Sequence, residues 1–390
     1  MASAAESQQE AKKTQENRSR PNSSDTYSPR VMNLDQIPKS SGISALTEDH
    51  YAEWDRFVDS HPAGRYSYLS GYKEAIEEVY HLQPSYLAMW EGETVKAILP
   101  SFLVGPRWAK RCVSMPFSQF GGPLFSQSAI DAETVFAKLA KTLLEGTGMR
   151  TLDIRGLNES VPSCQIEGFS EIQQFEYAVL DLETSESEMF NSKFDHSVRK
   201  AVHKAEREGL NAVEESSEAC LTQEFYPRYL RMMKHLGTPP HPLEYFVALR
   251  RHLPDRLKVF WAVHQGRFVS GLMGISTGKR ANILHIVSDE EYHHLRPNDL
   301  VHWRFIQWAR NNGYKWFDFG VARYEGQRQF KKKWGTILQP YRIAHFSTSG
   351  KKAGVPLGSH RSVVSWLWAN LVPLRVTALL GKHLRKVYTR

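Results

Sequence analysis

The stretch from Gly313 to Gly335 reads G-Y-K-W-F-D-F-G-V-A-R-Y-E-G-Q-R-Q-F-K-K-K-W-G and joins an aromatic strand to a lysine-rich helix. Aromatic side chains favour central strands, so 315–319 is predicted to be one. Asp318 interrupts this strand, and a carboxylate in such a place needs a partner or a chemical use. Glycines follow, first at Gly320, so the backbone after the strand can turn tightly or approach a ligand closely.

Phe330 and Trp334 bracket three lysines in the second part of this stretch. At helical spacing, burial of the two aromatic rings would fix the direction of Lys331. The alkyl stem of a lysine can pack on apolar surface while its ammonium group reaches a pocket rim. Lys331 is therefore a candidate functional cation, whereas Lys332 and Lys333 are expected to face solvent.

The elements around this stretch follow the order of a known architecture. Hydrophobic periodicity predicts helices first, then three antiparallel strands, then helix, strand, helix and strand. The predicted elements are a long helix over 186–208, helices near 221–236 and 243–252, strands 257–264, 267–276 and 281–287, helix 299–312, strand 315–319, helix 327–333 and strand 340–346. This is the layout of the acetyltransferase-like (GNAT) fold, in which donors bind where the fourth and fifth strands part.

Two pairs of similar segments predict that this fold occurs twice. Hairpins are predicted at Leu87–Leu99 and Trp261–Met273, each with a glycine turn. A glycine stop and an acid-bearing strand follow a predicted helix at Gly148–Ile154 and again at Gly313–Phe319. Chance similarity of the hairpins is the alternative, but both pairs occur in the same order. The predicted fold class is α/β (α+β), with two tandem GNAT-like domains whose mixed sheets are flanked by helices.

The chain divides into four predicted segments. Residues 1–40 are polar and are expected to be disordered. An N-terminal GNAT-like domain over 41–183 and a C-terminal one over 184–348, with the active site, are followed by a basic amphipathic tail over 349–390. The first domain is predicted to hold helices from Glu48, near 70–80 and over 130–145, and strands near 112–115, 151–155 and 174–182.

Charge and cysteine content exclude several function classes. The net charge of +8 belongs to the last 40 residues, which hold eight of the 50 basic residues and no acid, so the other 42 balance 42 acidic residues. The body of the chain is therefore not a broad polyanion-binding surface. The widely spaced Cys112, Cys164 and Cys220 indicate neither a metal site nor a disulfide framework. His293, His294 and His302 also lack ligand spacing, so no metal is expected. The N-terminus has no apolar stretch typical of a secretory signal.

Two motifs resemble those of FemAB-like proteins, including members associated with exosortase and PEP-CTERM gene clusters, within the GNAT superfamily. The first is Phe317-Asp-Phe-Gly320 followed by Gly326 and Phe330-Lys-Lys-Lys-Trp-Gly335. The second is similar to the family's R-x-x-x-x-K-A-E-x-x-G-[LV] helix and begins at Arg199. The resemblance spans about 45–346. It implies a transferase that moves an acyl or aminoacyl group onto an amine, in one branch on a lipid-linked cell-wall precursor and in another in exopolysaccharide synthesis.

Two departures from the family patterns bear on the donor. Members often carry Arg-Ser after Asp-Phe-Gly, whereas Val321-Ala322 stand here and Arg323 follows. CoA-dependent members cradle the diphosphate on a glycine-rich helix start, whereas this chain has Arg296-Pro-Asn-Asp-Leu-Val301. Pro297 lacks an N–H, and Asn298 or Asp299 is expected to cap the helix instead. No cofactor is firmly predicted; the donor is expected to be an acyl-CoA or an aminoacyl-tRNA.

Three side chains are candidates for catalysis, because transfer to an amine needs a proton acceptor and stabilisation of an oxyanion. Lys331 can neutralise a phosphate or the developing oxyanion. Asp318 can accept or orient the amine proton, or it is simply paired with Lys315 or Arg323. His285, in a predicted strand, can act as a base lining the gap, or it is a hydrogen-bonded histidine of the sheet.

Five further residues are candidates for substrate binding. Arg323, Phe330 and Trp334 lie around Lys331 in the sequence. Arg199 and Lys204 belong to a basic helix face. This face contacts a polyanionic donor such as tRNA, or it is solvated and its charge is balanced by nearby glutamates.

The C-terminal tail contains an apolar run of about 12 residues over 363–374, shorter than the roughly 20 that cross a bilayer. With Trp366, Trp368 and the basic residues around them, this run predicts a segment that lies on an anionic membrane surface. Packing of the tail against the domain is the alternative.

The sequence thus predicts an acyl- or aminoacyl-transferase of the FemAB-like type, acting on an amine of a cell-envelope or exopolysaccharide precursor. It is expected to be cytoplasmic and peripheral on the inner membrane. The alternatives are an acetyl-CoA-dependent N-acetyltransferase and a scaffold that binds precursor without turnover.

Overall fold

A mixed sheet of 11 strands runs through the molecule and takes strands from both halves of the chain. The computed structural model describes residues 42–106, 110–126, 131–157, 168–348 and 363–387. The segment predicted to be disordered, 1–40, lies outside the described residues, as does Cys164.

In the described residues, the first half of the chain supplies one strand of 13 residues, eight shorter strands and three longer helices. Its helices are α1 (Tyr51–Ser60), α2 (Ser70–Tyr80) and α3 (Ala132–Thr147). Its strands are β1 (Ile43–Ala45), β2 (Gln83–Pro84), β3 (Leu87–Glu91), β4 (Thr94–Leu99), β5 (Phe102–Val104), β6 (Arg111–Val113), β7 (Leu124–Phe125), β8 (Thr151–Leu157) and β9 (Phe169–Asp181).

In the described residues, the second half supplies six strands, five of which have at least seven residues, and most of the longer helices. Its strands are β10 (Asn211–Glu214), β11 (Leu257–His264), β12 (Arg267–Thr277), β13 (Arg280–Ser288), β14 (Trp316–Ala322) and β15 (Ile337–Ser347). Its longer helices are α4 (His196–Arg207), α5 (Tyr226–His235), α6 (Leu243–His252), α7 (Pro297–Asn311), α8 (Glu325–Lys332), α9 (Val363–Leu371) and α10 (Leu374–Val387).

The strand order reflects a duplication. The large sheet runs β10-β11-β12-β13-β14-β9-β15-β8-β6-β5-β2, while β1, β3, β4 and β7 form a separate small sheet. β14 is parallel to β13 of its own half and antiparallel to β9 of the other. β8 is likewise parallel to β6 and antiparallel to β15. The central pair, β9 with β15, therefore lies between equivalent strands, so the tandem GNAT-like fold predicted from the sequence is confirmed.

The repeated segments take equivalent places in this arrangement. The hairpins β3–β4 and β11–β12 turn through Gly92 (φ +59°) and Gly266 (φ +76°), where a positive φ is cheap only for glycine. Gly148 and Gly313 follow α3 and α7 in the same left-handed region, at +67° and +76°, and release the chain into β8 and β14. The domain boundary between residues 183 and 184 stays a prediction, because β9 and β15 each lie among strands of the other half.

Three apolar clusters hold the layers together. One joins α1 and α2 to α5, α6 and one face of β11–β13, and a second joins α4 and α7 to the opposite face. The third packs α3 on β8 and β15. Because helices cover both faces of β11–β13, ligands can approach this part of the sheet at the ends of the strands and at the gaps between them.

Some local predictions were wrong. The helix predicted over 186–208 breaks at Phe194, because Asp195 adopts an extended conformation and its Oδ1 accepts a hydrogen bond from the Ser197 amide at 2.8 Å. The cap of α7 is Arg296 (φ +65°), not Asn298 or Asp299. Asn298 instead accepts a hydrogen bond from the Ser270 hydroxyl at 2.7 Å.

Candidate functional site

β13 and β14 stay together for only three residue pairs and then part. Pairing ends at Asn282 opposite Asp318, and beyond this point Gly320 shifts the register of β14 against β9. A bulge of this kind re-aims the strand that carries it. The gap between the two strands is the one in which the GNAT layout predicts a donor.

Lys331 lies beside this strand end on α8. The side chain is 9% exposed, and its Nζ donates to the carbonyl oxygens of Gly320 at 2.9 Å and Val321 at 2.8 Å. An ammonium group has three N–H bonds, so one remains for a ligand oxygen. Burial lowers the pKa of Lys331 to about 8; Asp318 opposes this shift and Arg323 adds to it.

Both carboxylate oxygens of Asp318 accept hydrogen bonds. Its Oδ2 accepts from Arg65 Nε at 3.0 Å and its Oδ1 accepts from the Gly320 amide at 2.8 Å. The pairing of Asp318 with Lys315 or Arg323 that the sequence offered as an alternative is wrong, since Lys315 pairs with Glu183 at 2.7 Å. Because both carboxylate oxygens already accept hydrogen bonds, Asp318 fixes the bulge and suits a positioning role better than a basic one.

Two residues from the first half complete the strand end and were missed in the sequence. Arg65 is 2% exposed and reaches Asp318 across 253 positions of chain. Gln119 Oε1 accepts from the Val321 amide at 2.7 Å. The one local signal near Gln119 is conformational, because Met115 and Phe117 have φ of +48° and +67°. Non-glycine residues in this region often mark functional loops.

The aromatic pair around Lys331 divides into a buried ring and an exposed ring. Trp334 has no exposed surface and packs between Phe194 and His302, with ring centroids 5.1 and 5.4 Å away. It therefore supports α8 from the core, and a direct contact between Trp334 and a substrate would need that core to open. Phe330 is 40% exposed beside Lys331, and its ring contacts His302 edge-on at a centroid distance of 5.6 Å.

His285 lies in a different environment from Lys331 and Asp318. Its ring packs on Tyr229, His241 and Phe246, and its Nε2 is buried without a hydrogen-bond partner among the described residues. Burial lowers the pKa of His285 to about 3, so the imidazole is neutral at physiological pH and is a weak base.

The predicted binding residues are dispersed. Arg323 is exposed, and its backbone amide donates to Gln327 Oε1 at 3.0 Å. Arg199 NH1 donates to the carbonyl oxygens of Phe194, at 3.0 Å, and Asn191. Arg199 thus has a structural use at the helix break, whereas Lys204 is half-buried on the same helix.

The turn before α7 is unlike a diphosphate-binding loop. Residues Glu290–Leu295 form a 3-10 helix, and Pro297 is the first residue of α7. The side chains of Glu290 and Glu291 are exposed beside this helix start and would repel a diphosphate. The described residues contain no cluster of three His, Cys, Asp or Glu side chains that could hold a metal.

Comparison with known proteins shows what the residues around Lys331 are similar to. The family model for the acetyltransferase (GNAT) domain matches residues 192–332, a range that contains Asp318, Lys331 and the basic helix α4. A lipid II:glycine glycyltransferase of Staphylococcus saprophyticus is 30% identical over 101 residues, 24% of this chain and 24% of that protein. The chain therefore aligns with about a quarter of this curated relative's length.

Solved structures agree on the fold. The crystal structure of FemX matches with a TM-score of 0.63 and 15% identity, over 77% of this chain and 96% of that one. The C-terminal domain of a putative lysylphosphatidylglycerol synthetase from Agrobacterium fabrum matches with a TM-score of 0.51 and 16% identity, over 72% and 88%. Residues 192–332 therefore match a GNAT acetyltransferase domain, and the fold of the chain is similar to that of FemX.

Proposed function

We propose that this protein transfers an acyl or aminoacyl group to an amine of a cell-envelope precursor, with its reaction centre where β13 and β14 part. The observation that carries the proposal is Lys331, a buried ammonium group with two backbone partners and one N–H left over. The glycyl transfer to lipid II named for the staphylococcal relative is a reaction of this class.

The chemistry follows from the needs of acyl transfer. The acceptor amine attacks the carbonyl carbon of the donor ester or thioester, and negative charge develops on the carbonyl oxygen. The remaining N–H of Lys331 stabilises this charge in a site of low dielectric. When the intermediate collapses, the bond from carbon to the leaving oxygen or sulfur breaks. The amine loses one proton and the leaving group gains one, so the reaction is balanced.

Aminoacyl-tRNA is the preferred donor in this proposal. The start of α7 has Pro297 in place of a close-approach glycine and two exposed glutamates nearby. Both features disfavour a CoA diphosphate. Of the basic helix face predicted to contact a polyanionic donor, Arg199 is used at the helix break, so we propose the half-buried Lys204, together with the exposed Arg323, as the cations for a nucleic-acid donor. The exposed side chain of Phe330 is proposed to stack on a base.

The acceptor is proposed to be lipid-linked, in peptidoglycan or exopolysaccharide synthesis, because the tail has a surface suited to a membrane. Helices α9 and α10 pack on the α5 region, where Lys234 Nζ donates to the Ala369 carbonyl at 2.7 Å. Their outer side exposes Trp366, Leu371 and Leu379 by 54%, 66% and 74%. Among the described residues, no helix is long and apolar enough to span a bilayer. We place the protein on the cytoplasmic face of the membrane.

A transfer assay with purified protein tests the function. The full chain is incubated with a lipid-linked peptide precursor and either a mixture of charged tRNAs or acetyl-CoA, and the precursor is analysed by mass spectrometry. We expect an aminoacyl mass increment on an amine with the charged tRNAs. We expect calorimetric titration to show no micromolar binding of acetyl-CoA. Such binding would overturn the donor assignment.

The assay also separates the two alternatives. An acetyl mass increment on the precursor would identify an N-acetyltransferase. The proposed acyl transfer would then stand, but aminoacyl-tRNA would be excluded as the donor. Binding of precursor with neither donor consumed would contradict the enzyme proposal and favour a scaffold. Mass spectrometry of envelope precursors from a deletion strain then identifies the group that disappears.

A further inference from the structure

A cavity of about 470 Å³ lies behind the strand end that carries Asp318, away from the gap between β13 and β14. It is bounded by the segment after α1 and by residues of β9, β13 and β15, including Arg65, Tyr177, Arg280 and Gln339. This volume is within the range of roughly 300–1,000 Å³ that is typical of small-molecule sites. The reaction proposed above makes no use of it.

Arg280 lines this cavity and has a buried N–H group without a hydrogen-bond acceptor among the described residues. Its Nε donates to the Pro62 carbonyl at 3.1 Å, but its buried NH1 has no hydrogen-bond partner among the described residues. No carboxylate of the described residues lies within salt-bridge distance of Arg280. The guanidinium Cζ lies 5.5 Å from the Trp316 ring centroid, but a buried NH1 group without an acceptor is costly, so its retention points to a ligand.

The second guanidinium makes the cavity wall positive. Arg65 pairs with Asp318, and its plane lies 4.8 Å from the ring centroid of Phe120. One carboxylate therefore faces two arginines. The repulsion between them adds to burial and lowers the pKa of Arg280 to about 10. His61 adds no charge, because burial lowers its pKa and its Nδ1 accepts from the Ala63 amide at 3.0 Å.

Neutral groups add hydrogen-bond donors and apolar surface. The Tyr177 hydroxyl donates to Gln339 Oε1, which leaves the amide N–H groups of Gln339 without a partner among the described residues. Rings of Phe120 and Tyr341 line another part of the wall. Two cations, an amide donor and apolar faces match an acidic molecule the size of a sugar.

We infer that this cavity is a binding site for a sugar-sized oxyanion, held through its phosphate or carboxylate group by Arg280 and Arg65. The site is connected to the proposed reaction centre, because Arg65 bonds Asp318, Asp318 bonds the Gly320 amide, and the Gly320 carbonyl bonds Lys331. Binding at the cavity requires no acyl donor, so it can be tested independently of the proposed transfer.

Calorimetric titration of the full chain with four probes tests the inference. Glucose 1-phosphate and glucuronate represent the two sources of charge, inorganic phosphate tests the oxyanion alone, and glucose is the neutral control. We expect one of the two acidic sugars to bind at least roughly tenfold more tightly than glucose, because a hydrogen bond between charged groups is stronger than one between neutral groups. The tighter of the two acids identifies the phosphate or the carboxylate as the natural group.

Arg280→Gln is the test variant, and Lys279→Gln, which removes one charge from an exposed neighbour, is its control. Arg280→Gln should weaken binding of the acidic sugar at least roughly tenfold and leave the melting temperature unchanged or raised, because the removed charge is desolvated and no carboxylate of the described residues lies within salt-bridge distance of it. Lys279→Gln should change binding less than twofold. Equal losses in both variants, or equal binding of glucose and both acids to the wild type, would overturn the inference.

Discussion

Two opposing effects act on the ammonium group of Lys331. Burial disfavours the charged form and lowers the pKa to about 8, while the carbonyl oxygens of Gly320 and Val321 accept hydrogen bonds from the cation. A lysine with this pKa is still mainly protonated at neutral pH, yet it can release a proton more readily than an exposed lysine. This combination suits stabilisation of a developing oxyanion.

Lys331→Met is expected to lower the rate of transfer at least roughly 100-fold, the usual effect of removing a donor to an oxyanion. The folded state should change little, because loss of a desolvated charge offsets loss of two hydrogen bonds. Steady-state kinetics and thermal unfolding check both points. Lys332→Met, at the exposed neighbouring position, is the control and should keep full activity. A fully active Lys331→Met variant would remove Lys331 from the site.

The rate should depend on pH through the same group. The ammonium form of Lys331 is lost as pH rises through about 8, so kcat is expected to fall above this value. Rates measured from pH 6.5 to 9.5 give the profile, and a flat profile would contradict the assignment.

Stability should change with pH in the opposite direction. The pKa of Lys331 is depressed on folding, so between pH 8 and 10.5 the unfolded chain binds the extra proton and folding becomes more favourable as pH rises. Between pH 7 and 10, the wild type should gain on the order of 2 kcal/mol in unfolding free energy relative to Lys331→Met. Urea unfolding of both proteins measures the difference, and a constant difference would contradict the pKa shift.

At the scale of elements, the bulge at the end of β14 aligns three backbone groups. Gly320 has φ +75°, its amide donates to Asp318 and its carbonyl accepts from Lys331. A Cβ atom at this position would lie 2.7 Å from Gln119 Oε1. The glutamine can move, but then it loses its hydrogen bond from the Val321 amide. The strand end is thus held by α8, by β9 and by a loop of the first half.

Gly320→Ala is expected to destabilise the protein by about 2–3 kcal/mol, from backbone strain of about 1–2 kcal/mol and one lost hydrogen bond. Gly313→Ala is a matched control, because Gly313 has φ +76° but a Cβ atom added there would meet no heavy atom within 4 Å. Gly313→Ala should lower the free energy of unfolding only by the backbone strain of about 1–2 kcal/mol. Urea unfolding measures the two costs, and transfer assays should show a loss of activity in Gly320→Ala only. Equal behaviour of both variants would exclude a special role for the bulge.

At the scale of the whole molecule, the tail packs on the folded domain with one side and exposes apolar side chains on the other. Trp368 is 8% exposed and Arg385 donates to the Pro239 carbonyl at 2.6 Å, so one side of α9 and α10 is packed against the α5 region. The other side exposes apolar residues next to Arg375. The packing holds the exposed side in a fixed orientation relative to the gap between β13 and β14.

Replacing Leu371 and Leu379 together by glutamate should abolish binding to vesicles that contain anionic lipid, because apolar insertion is lost and negative charge is added. The two side chains are 66% and 74% exposed, so the fold should be retained. Ile337→Glu, at a 50% exposed position outside the tail, is the control. Co-sedimentation with the vesicles measures binding. Unchanged binding of the double variant would contradict a membrane role for the tail.

The sequence by itself determined the order of the elements and the repeated GNAT-like layout. These properties depend on hydrophobic periodicity and on turn residues a few positions away, such as Gly92 and Gly266, so they can be read locally. The fine boundaries failed where a cap intervened, as at Asp195, because capping competes with helix propensity over a single residue.

Only the tertiary structure decided how the two halves share one sheet and which residues complete the site. Arg65 meets Asp318 across 253 positions and Gln119 meets Val321 across 202, and nothing in either local sequence specifies the partner. The same holds for the exchange of β9 and β15 between the halves and for the cavity beside Arg280. Such contacts arise when distant segments are packed together, because burial of charge and of backbone groups then selects the partners that satisfy them.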